Sequence, residues 1–137
     1  MLGALEGRPK EQLLSPFFYP GFDRDYWHRQ PLPGEIAEIA SGSFNLKEPP
    51  EIKGGGFVVR SLKAAPWAFH RSDSFREGAL RAVNLAGRRC DTTGAIYGQL
   101  AGAYYGINAI PRDWIERLAL CELISEKATA LFDFSNA

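Results

Sequence analysis

Apolar residues recur at helical spacing over much of the chain, and most regularly between Phe75 and Ala86. Ser74 and Glu77 stand three residues apart at the start of this segment, as in the capping box of a helix N-terminus. The apolar positions that share one helical face are Phe75, Ala79, Leu80, Ala82 and Val83. This pattern predicts a helix from Phe75 to Ala86.

Other segments carry helix signals of the same kind. They are Pro33 to Ala40, ended by Gly42; residues 57–69; Thr93 to Tyr105; a helix with Pro111 at its first position, running to Leu120; and residues 123–131. Pro66 lies inside the second of these segments. Because proline lacks an N–H and clashes with the preceding turn, we expect Pro66 to kink or shorten that helix.

The remaining segments predict irregular structure. Residues 1–32 are rich in aromatic residues and prolines without a sustained period, which indicates a packed connection. Residues 49–56 combine two prolines with three glycines and therefore predict a loop. Because no segment alternates convincingly with the period of a strand, we expect an all-α fold.

Gly94, Gly98 and Gly102 recur every four residues and so share one face of the predicted helix, while Gly106 can supply its left-handed cap. Three glycines on one face predict the close approach of a neighbouring backbone, or access for a ligand. A membrane helix pair is the rival interpretation. The apolar run from Ile96 to Ile110 falls short of the roughly 20 residues that span a bilayer, which argues against it.

Length and charge narrow the class of protein. A chain of 137 residues with 45% hydrophobic composition predicts a single domain or part of one. Basic and acidic residues balance at 16 each, so no overall field favours nucleic acid or an acidic membrane surface. Cys90 and Cys121 form no CxxC pair, and no signal peptide is evident, so we expect a soluble, cytoplasmic protein.

Two short segments offer candidate chemistry, and each has two interpretations. Asp91 and Thr92 could cap the helix that follows, or could supply oxygen ligands to a hard cation such as Mg²⁺. The glycines of residues 54–56 could form a plain turn, or could hold a phosphate with backbone N–H groups at a helix start. Motif chemistry alone leaves both choices open.

Five stretches together resemble the C-terminal half of the ADP-ribosylglycohydrolase family. In chain order they read PPEIKGGGFVVRSL, AAPWAFHRSDSF, ALRAVNLAG, DTTGAIYGQLAGAYYG and IPRDW. The resemblance covers nearly all of residues 1–137 and implies one partial domain with the orthogonal, all-helical fold of that family. It also implies a two-magnesium centre that hydrolyses the glycosidic bond between ADP-ribose and an acceptor.

The resemblance assigns roles to four residues. Asp91 and Thr92 match the last two positions of an Asp-x-Asp-Thr metal motif, and Gly56 and Phe57 match a loop that contacts ADP-ribose. No catalytic residue can be assigned. Arg89 stands where the family's first aspartate is expected, which replaces an anionic ligand by a fixed positive charge.

The Thr-Asp-Asp ligand motif of the family's N-terminal half has no counterpart in this sequence. We therefore expect the chain to be truncated and inactive, or nearly so, on its own. Its expected partners are ADP-ribose or an ADP-ribosylated substrate and a separately encoded N-terminal half, and apolar surface left uncovered predicts self-association. The alternative is a non-catalytic helical module that binds ADP-ribose or a protein partner.

Overall fold

The computed structural model describes residues 1–21, 23, 25–85 and 90–135, and of Cys90 only the backbone. Nine α-helices appear in these residues: α1 Leu2–Leu5, α2 Lys10–Leu13, α3 Tyr26–Arg29, α4 Gly34–Ala40, α5 Val58–His70, α6 Phe75–Asn84, α7 Cys90–Tyr105, α8 Arg112–Ile115 and α9 Cys121–Ser135. Two 3₁₀ turns cover Ser43–Leu46 and Ile107–Ala109. The described part of the chain contains no strand, which confirms the all-α prediction.

Helices α5, α6 and α7 pack against one another and form the core. Small residues occupy the buried faces, and the fully buried ones are Ala64, Ala65, Ala68, Ala82 and Ala101. Because alanine side chains are short, they allow helix axes to approach closely, and larger side chains fill the spaces between. Phe69 and Tyr97, both with 0% exposure, are the largest of these.

Helix α6 begins as its sequence predicts. Ser74 accepts a hydrogen bond from the Glu77 backbone N–H at 3.2 Å, and Glu77 Oε2 accepts one from the backbone N–H of Asp73, also at 3.2 Å. The second bond of an ideal capping box would come from the N–H of Ser74 itself. The side chains therefore cap the helix start together, with the reciprocal bond shifted by one residue.

Pro66 does not shorten α5, which runs through it as one helix of 13 residues. The reason lies in the residues that follow, because Trp67, Ala68 and Phe69 are all buried. The indole Nε1 of Trp67 also donates to the Lys47 carbonyl at 2.9 Å. Tertiary packing therefore holds the last turn in helical form and outweighs the missing backbone hydrogen bond.

Other helix boundaries differ from the predictions. Helix α7 begins at Cys90 instead of Thr93, and α8 covers only Arg112–Ile115, with Pro111 preceding it as the cap. Leu120 then takes a positive φ of 58° and starts a new direction, followed by the longer α9. Leu118 and Leu120 are exposed, so no buried contact holds the predicted extension of α8 in place.

The N-terminal segment contains three one-turn helices where the sequence predicts an irregular connection. The ammonium of Lys10 donates to the Ser72 carbonyl and lies 4.9 Å from the centroid of the Phe69 ring. Partial burial lowers the pKa of Lys10, and the nearby carboxylate of Asp73 opposes that effect. This lysine fastens the segment to the turn between α5 and α6.

Candidate functional site

The glycine loop, residues 54–56, is bonded at both ends. The backbone N–H of Gly54 donates to the Leu85 carbonyl at the end of α6 at 3.1 Å. The carbonyl of Gly55 accepts a hydrogen bond from Ser61 Oγ, in the first turns of α5, at 2.6 Å. Gly55 has a φ of 154°, which side chains of L-residues rarely adopt, so the loop depends on glycine at that position.

The same Ser61 hydroxyl connects the loop to α7. Thr93 Oγ1 donates to Ser61 Oγ at 3.1 Å, and both residues have 0% exposure. A chain of two hydrogen bonds therefore runs from the first turn of α7 through α5 to the Gly55 carbonyl, buried between Thr93 and Ser61 and partly buried between Ser61 and Gly55. The bond between Thr93 and Ser61 joins residues that are 32 apart in sequence.

These two hydrogen bonds bring the two predicted pairs of site residues to one end of the core. Gly56 and Phe57 directly follow the bonded carbonyl, and Asp91 and Thr92 directly precede Thr93. Phe57 and Asp91 are exposed and Thr92 is half-buried, so their side chains are accessible from solvent. Asp91 and Thr92 lie inside the first turn of α7 rather than before it, where a carboxylate complements the positive end of the helix dipole.

The donors at this end are incomplete as a metal centre. A carboxylate from Asp91 and a hydroxyl from Thr92 suit a hard cation, but Mg²⁺ is six-coordinate. Over the described ranges, no three His, Cys, Asp or Glu side chains come together as a potential metal site. Arg89, which stands where the first aspartate of the family motif is expected, lies outside the described residues. The two donors fit part of a magnesium shell and leave the other positions to water or to further protein groups.

A polar cleft of about 590 Å³ lies between α4 and the start of α5, and Phe57 forms part of its wall. The side chain of Lys63 is only 18% exposed, and its ammonium lies 2.8 Å from Glu38 Oε1. Lys47 contacts the same oxygen, also at 2.8 Å. Hydrogen bonds from the two ammonium groups lower the pKa of Glu38 to about 2.

The three members of this ion cluster are 9 and 25 residues apart in sequence and belong to different elements. No local spacing rule relates such positions, and the sequence gives no signal for the cluster. Arg60, at the same cleft, is exposed.

An apolar groove of about 510 Å³ runs between α6, α7 and the segment that follows α7. Phe75, Val83, Trp114 and Ile124 contribute to its walls, as do the half-buried Gly94 and Gly98. The close backbone contact expected along the glycine face is wrong for Gly98 and Gly102, where an added Cβ would meet no atom within 4 Å. Only at Gly94 would it meet a close neighbour, Val83 Cγ1 at 3.2 Å.

Gly106 has the predicted positive φ of 77°, but its ψ of 171° places it outside the left-handed helical region. In the part of the chain that the structure describes, no helix combines the length and the hydrophobicity needed to span a membrane.

The fold and the site define a class: an all-helical protein in which a glycine loop is bonded to a helix start that carries oxygen donors. The family model described as ADP-ribosylglycohydrolase matches residues 4–136. This chain belongs to the ADP-ribosylglycohydrolase family.

Two curated relatives show the similarity in sequence. An ADP-ribosylarginine hydrolase of Serratia proteamaculans is 36% identical over 128 residues, which cover 93% of this chain and 32% of the relative. An ADP-ribosyl dinitrogen reductase glycohydrolase of Rhodospirillum rubrum is 34% identical over 71 residues, or 52% of this chain and 24% of that protein. The chain thus spans about a third or less of the curated relatives that it matches.

A solved structure described as an ADP-ribosylglycohydrolase-related protein complex superposes with a TM-score of 0.81 at 42% identity. The match covers 97% of this chain and 43% of that one. It confirms that the helices described here adopt the fold of the family.

Proposed function

We propose that this chain forms one part of a site that hydrolyses the glycosidic bond between ADP-ribose and an acceptor. The observation that carries the proposal is the link from Thr93 through Ser61 to Gly55. It holds the loop of Gly56 and Phe57 next to the helix start of Asp91 and Thr92. Membership of the family supplies the reaction class, and the link accounts for how two distant motifs serve one ligand.

In this proposal Asp91 and Thr92 would hold Mg²⁺ in the completed site. The bound ion would supply Lewis acidity for orienting the ribose hydroxyl groups and polarising a water molecule. The chain's own part is to hold the Asp91 carboxylate in the first turn of α7, at the positive end of the helix dipole. Gly56 and Phe57 contact the ADP-ribose.

We further propose that the isolated chain is inactive, or nearly so. One carboxylate and one hydroxyl leave most of the octahedral shell of a magnesium ion to water, and Arg89 adds a permanent positive charge two residues before Asp91. Further carboxylates from outside these residues would complete the shell. The names of the relatives support an ADP-ribosylated protein side chain, with arginine as the first acceptor to test.

Calorimetric titration of the purified chain with Mg²⁺, and then with ADP-ribose, tests the metal assignment. We expect little or no Mg²⁺ binding by the unaltered chain, measurable binding by Arg89→Asp, and loss of that gain in Arg89→Asp with Asp91→Asn. Tight binding by the unaltered chain would contradict the role given to Arg89. Equal binding by the single and double variants would remove Asp91 from the ligand set.

A second candidate function is a non-catalytic module that binds ADP-ribose. The exposure of the aromatic ring of Phe57, at 53%, favours it, because a solvent-facing ring beside a glycine loop can stack on a nucleobase without a metal. ADP-ribose binding that persists in a chelator and is lost in Phe57→Ala would establish this module. Binding that requires Mg²⁺ would favour the hydrolase site instead.

A further inference from the structure

Two buried hydroxyl groups outside the assigned site connect its two parts. Ser61 and Thr93 have no solvent exposure, and neither belongs to the residues proposed to contact metal or ADP-ribose. Each hydroxyl group is nevertheless close to the assigned residues. Ser61 bonds to Gly55, which precedes Gly56, and Thr93 directly follows Thr92 in the first turn of α7.

The direction of the hydrogen bonds follows from the atoms involved. The Gly55 carbonyl can only accept, so the single hydrogen of Ser61 Oγ is directed to it at 2.6 Å. Ser61 Oγ can then only accept from Thr93, whose Oγ1 lies at 3.1 Å. Each bond fixes the rotor of the next hydroxyl, and a chain of this kind in a buried environment is stronger than isolated surface bonds.

The glycine loop, at one end of these hydrogen bonds, has few other restraints on its position. Within the described residues, the backbone of the three glycines makes one further hydrogen bond, from the Gly54 N–H to the Leu85 carbonyl. Glycine lacks a side chain that could pack, and Gly55 adopts a φ that is accessible mainly to glycine. The Phe57 carbonyl accepts backbone hydrogen bonds from Arg60 and Ser61 at the start of α5, so the Ser61 hydroxyl acts on the glycines that precede Phe57.

We propose that Ser61 is a positioning residue, with Thr93 as its partner, which fixes the glycine loop against the first turn of α7. This inference rests on the proposed function, since it concerns the spacing between the segments assigned to ADP-ribose and to the metal. A buried pair with a purely structural role would stabilise the whole core equally. A positioning pair acts first on the loop.

Amide hydrogen exchange of the intact chain, without ligand, tests this difference. Thr93→Val keeps the size of the side chain and removes its hydroxyl, whereas Thr93→Ser keeps the hydroxyl. We expect the Gly54 amide to exchange about five- to tenfold faster in Thr93→Val than in the wild type, in line with the loss of one buried hydrogen bond. In Thr93→Ser it should exchange at nearly the wild-type rate.

The control is Ser72→Ala, which removes another buried hydroxyl near the far end of α5, where Ser72 Oγ donates to the Phe69 carbonyl at 3.3 Å. It should change the melting temperature without a selective effect on Gly54. Unchanged exchange at Gly54 in Thr93→Val, or equal acceleration of all core amides, would overturn the inference. Ser61→Ala gives a second test, because Thr93→Val should then add no further acceleration.

ADP-ribose titration of the same variants in an Arg89→Asp background, where Mg²⁺ binding is expected, separates the two proposals. Weaker binding in Thr93→Val with recovery in Thr93→Ser supports both. Selective acceleration at Gly54 without ADP-ribose binding by any version supports the positioning role of Ser61 and contradicts the proposed function.

Discussion

Gly78 in α6 faces Tyr97 in α7 so closely that no side chain fits between them. A Cβ added to Gly78 would lie less than 3.0 Å from the phenol oxygen of Tyr97 and from the hydroxyl of Ser72. Tyr97 itself is fully buried, and its hydroxyl donates to the Phe75 carbonyl at 3.0 Å. The phenol therefore occupies the space that the missing side chain leaves, and α6 can pack closely against α7.

Gly78→Ala should destabilise the chain. Alanine favours the helix by about 1 kcal/mol over glycine, but the clash with a hydrogen-bonded, buried phenol costs about 1–3 kcal/mol through overpacking. We expect a net loss and a lower melting temperature, measured by circular dichroism. An unchanged or higher melting temperature would show that Tyr97 moves aside without cost.

Gly98→Ala is the matched control in α7. Its added Cβ meets no atom within 4 Å, so only the helix preference acts and the chain should gain up to about 1 kcal/mol. The same sign is expected for Gly102→Ala, whose added Cβ is equally free. Destabilisation by both would mean that the open glycine face is occupied in solution, for example by a second chain.

These glycines show which parts of the structure could be predicted from sequence. The regular spacing of Gly94, Gly98 and Gly102 suggested close packing, yet a side chain of a neighbouring helix approaches Gly78 more closely than any of these three glycines, and Gly78 has no glycine partner at helical spacing. Periodicity reports the face of one helix. It does not report which neighbour covers that face, because this depends on contacts between residues far apart in the chain.

The same distinction applies to the site. Local signals predicted α6, its Ser74 cap and the glycine loop. The resemblance to the family suggested Asp91 and Phe57 as site residues. The link between Ser61 and Thr93 was not predicted, because serine and threonine are common in helices and their bond spans 32 residues. That link arises only from the packing of α5 against α7.

The stability of the chain should fall at high pH through Tyr97. Burial raises its pKa to about 12 from an ordinary value of 10.0, so the stabilisation is complete below pH 10 and is lost as the pH rises towards 12. A pKa difference of this size between the folded and unfolded states corresponds to about 2–3 kcal/mol in the free energy of unfolding. Denaturant unfolding at pH 8 and pH 11 measures the effect.

Tyr97→Phe should remove much of this pH dependence while costing about 1 kcal/mol at neutral pH for the lost hydrogen bond. Burial also raises the pKa of Tyr105, so Tyr105→Phe serves as the comparison. Identical alkaline behaviour of wild type and Tyr97→Phe would assign the effect to other groups.

Glu38 should govern part of the acid response. Because Lys47 and Lys63 lower its pKa to about 2 from 4.5, its contribution is present above pH 4.5 and is lost as the pH falls towards 2. The carboxylate is half exposed, so Glu38→Gln should reduce stability only slightly at neutral pH. Melting curves of both proteins should converge towards pH 2, and a constant difference across this range would contradict the assignment.

Helix α9 is expected to promote self-association. Every residue from Glu122 to Ser135 is exposed, including Leu131 at 71% and Phe134 at 84%. A helix of 15 residues that buries little of itself is only marginally stable in water, so contact with another apolar surface would stabilise it. Elution in sizing chromatography should therefore shift to larger species as the concentration rises.

Leu131→Glu combined with Phe134→Ser should shift this equilibrium towards the monomer with little change in the melting temperature of the core. The control is Leu46→Glu, which alters a side chain that is 91% exposed and belongs to the 3₁₀ turn Ser43–Leu46, far from α9 in sequence. A monomer at every concentration would remove the role given to α9. A similar response to Leu46→Glu would show general apolar adhesion instead of an interface built on α9, because only a specific surface distinguishes two equally exposed apolar positions.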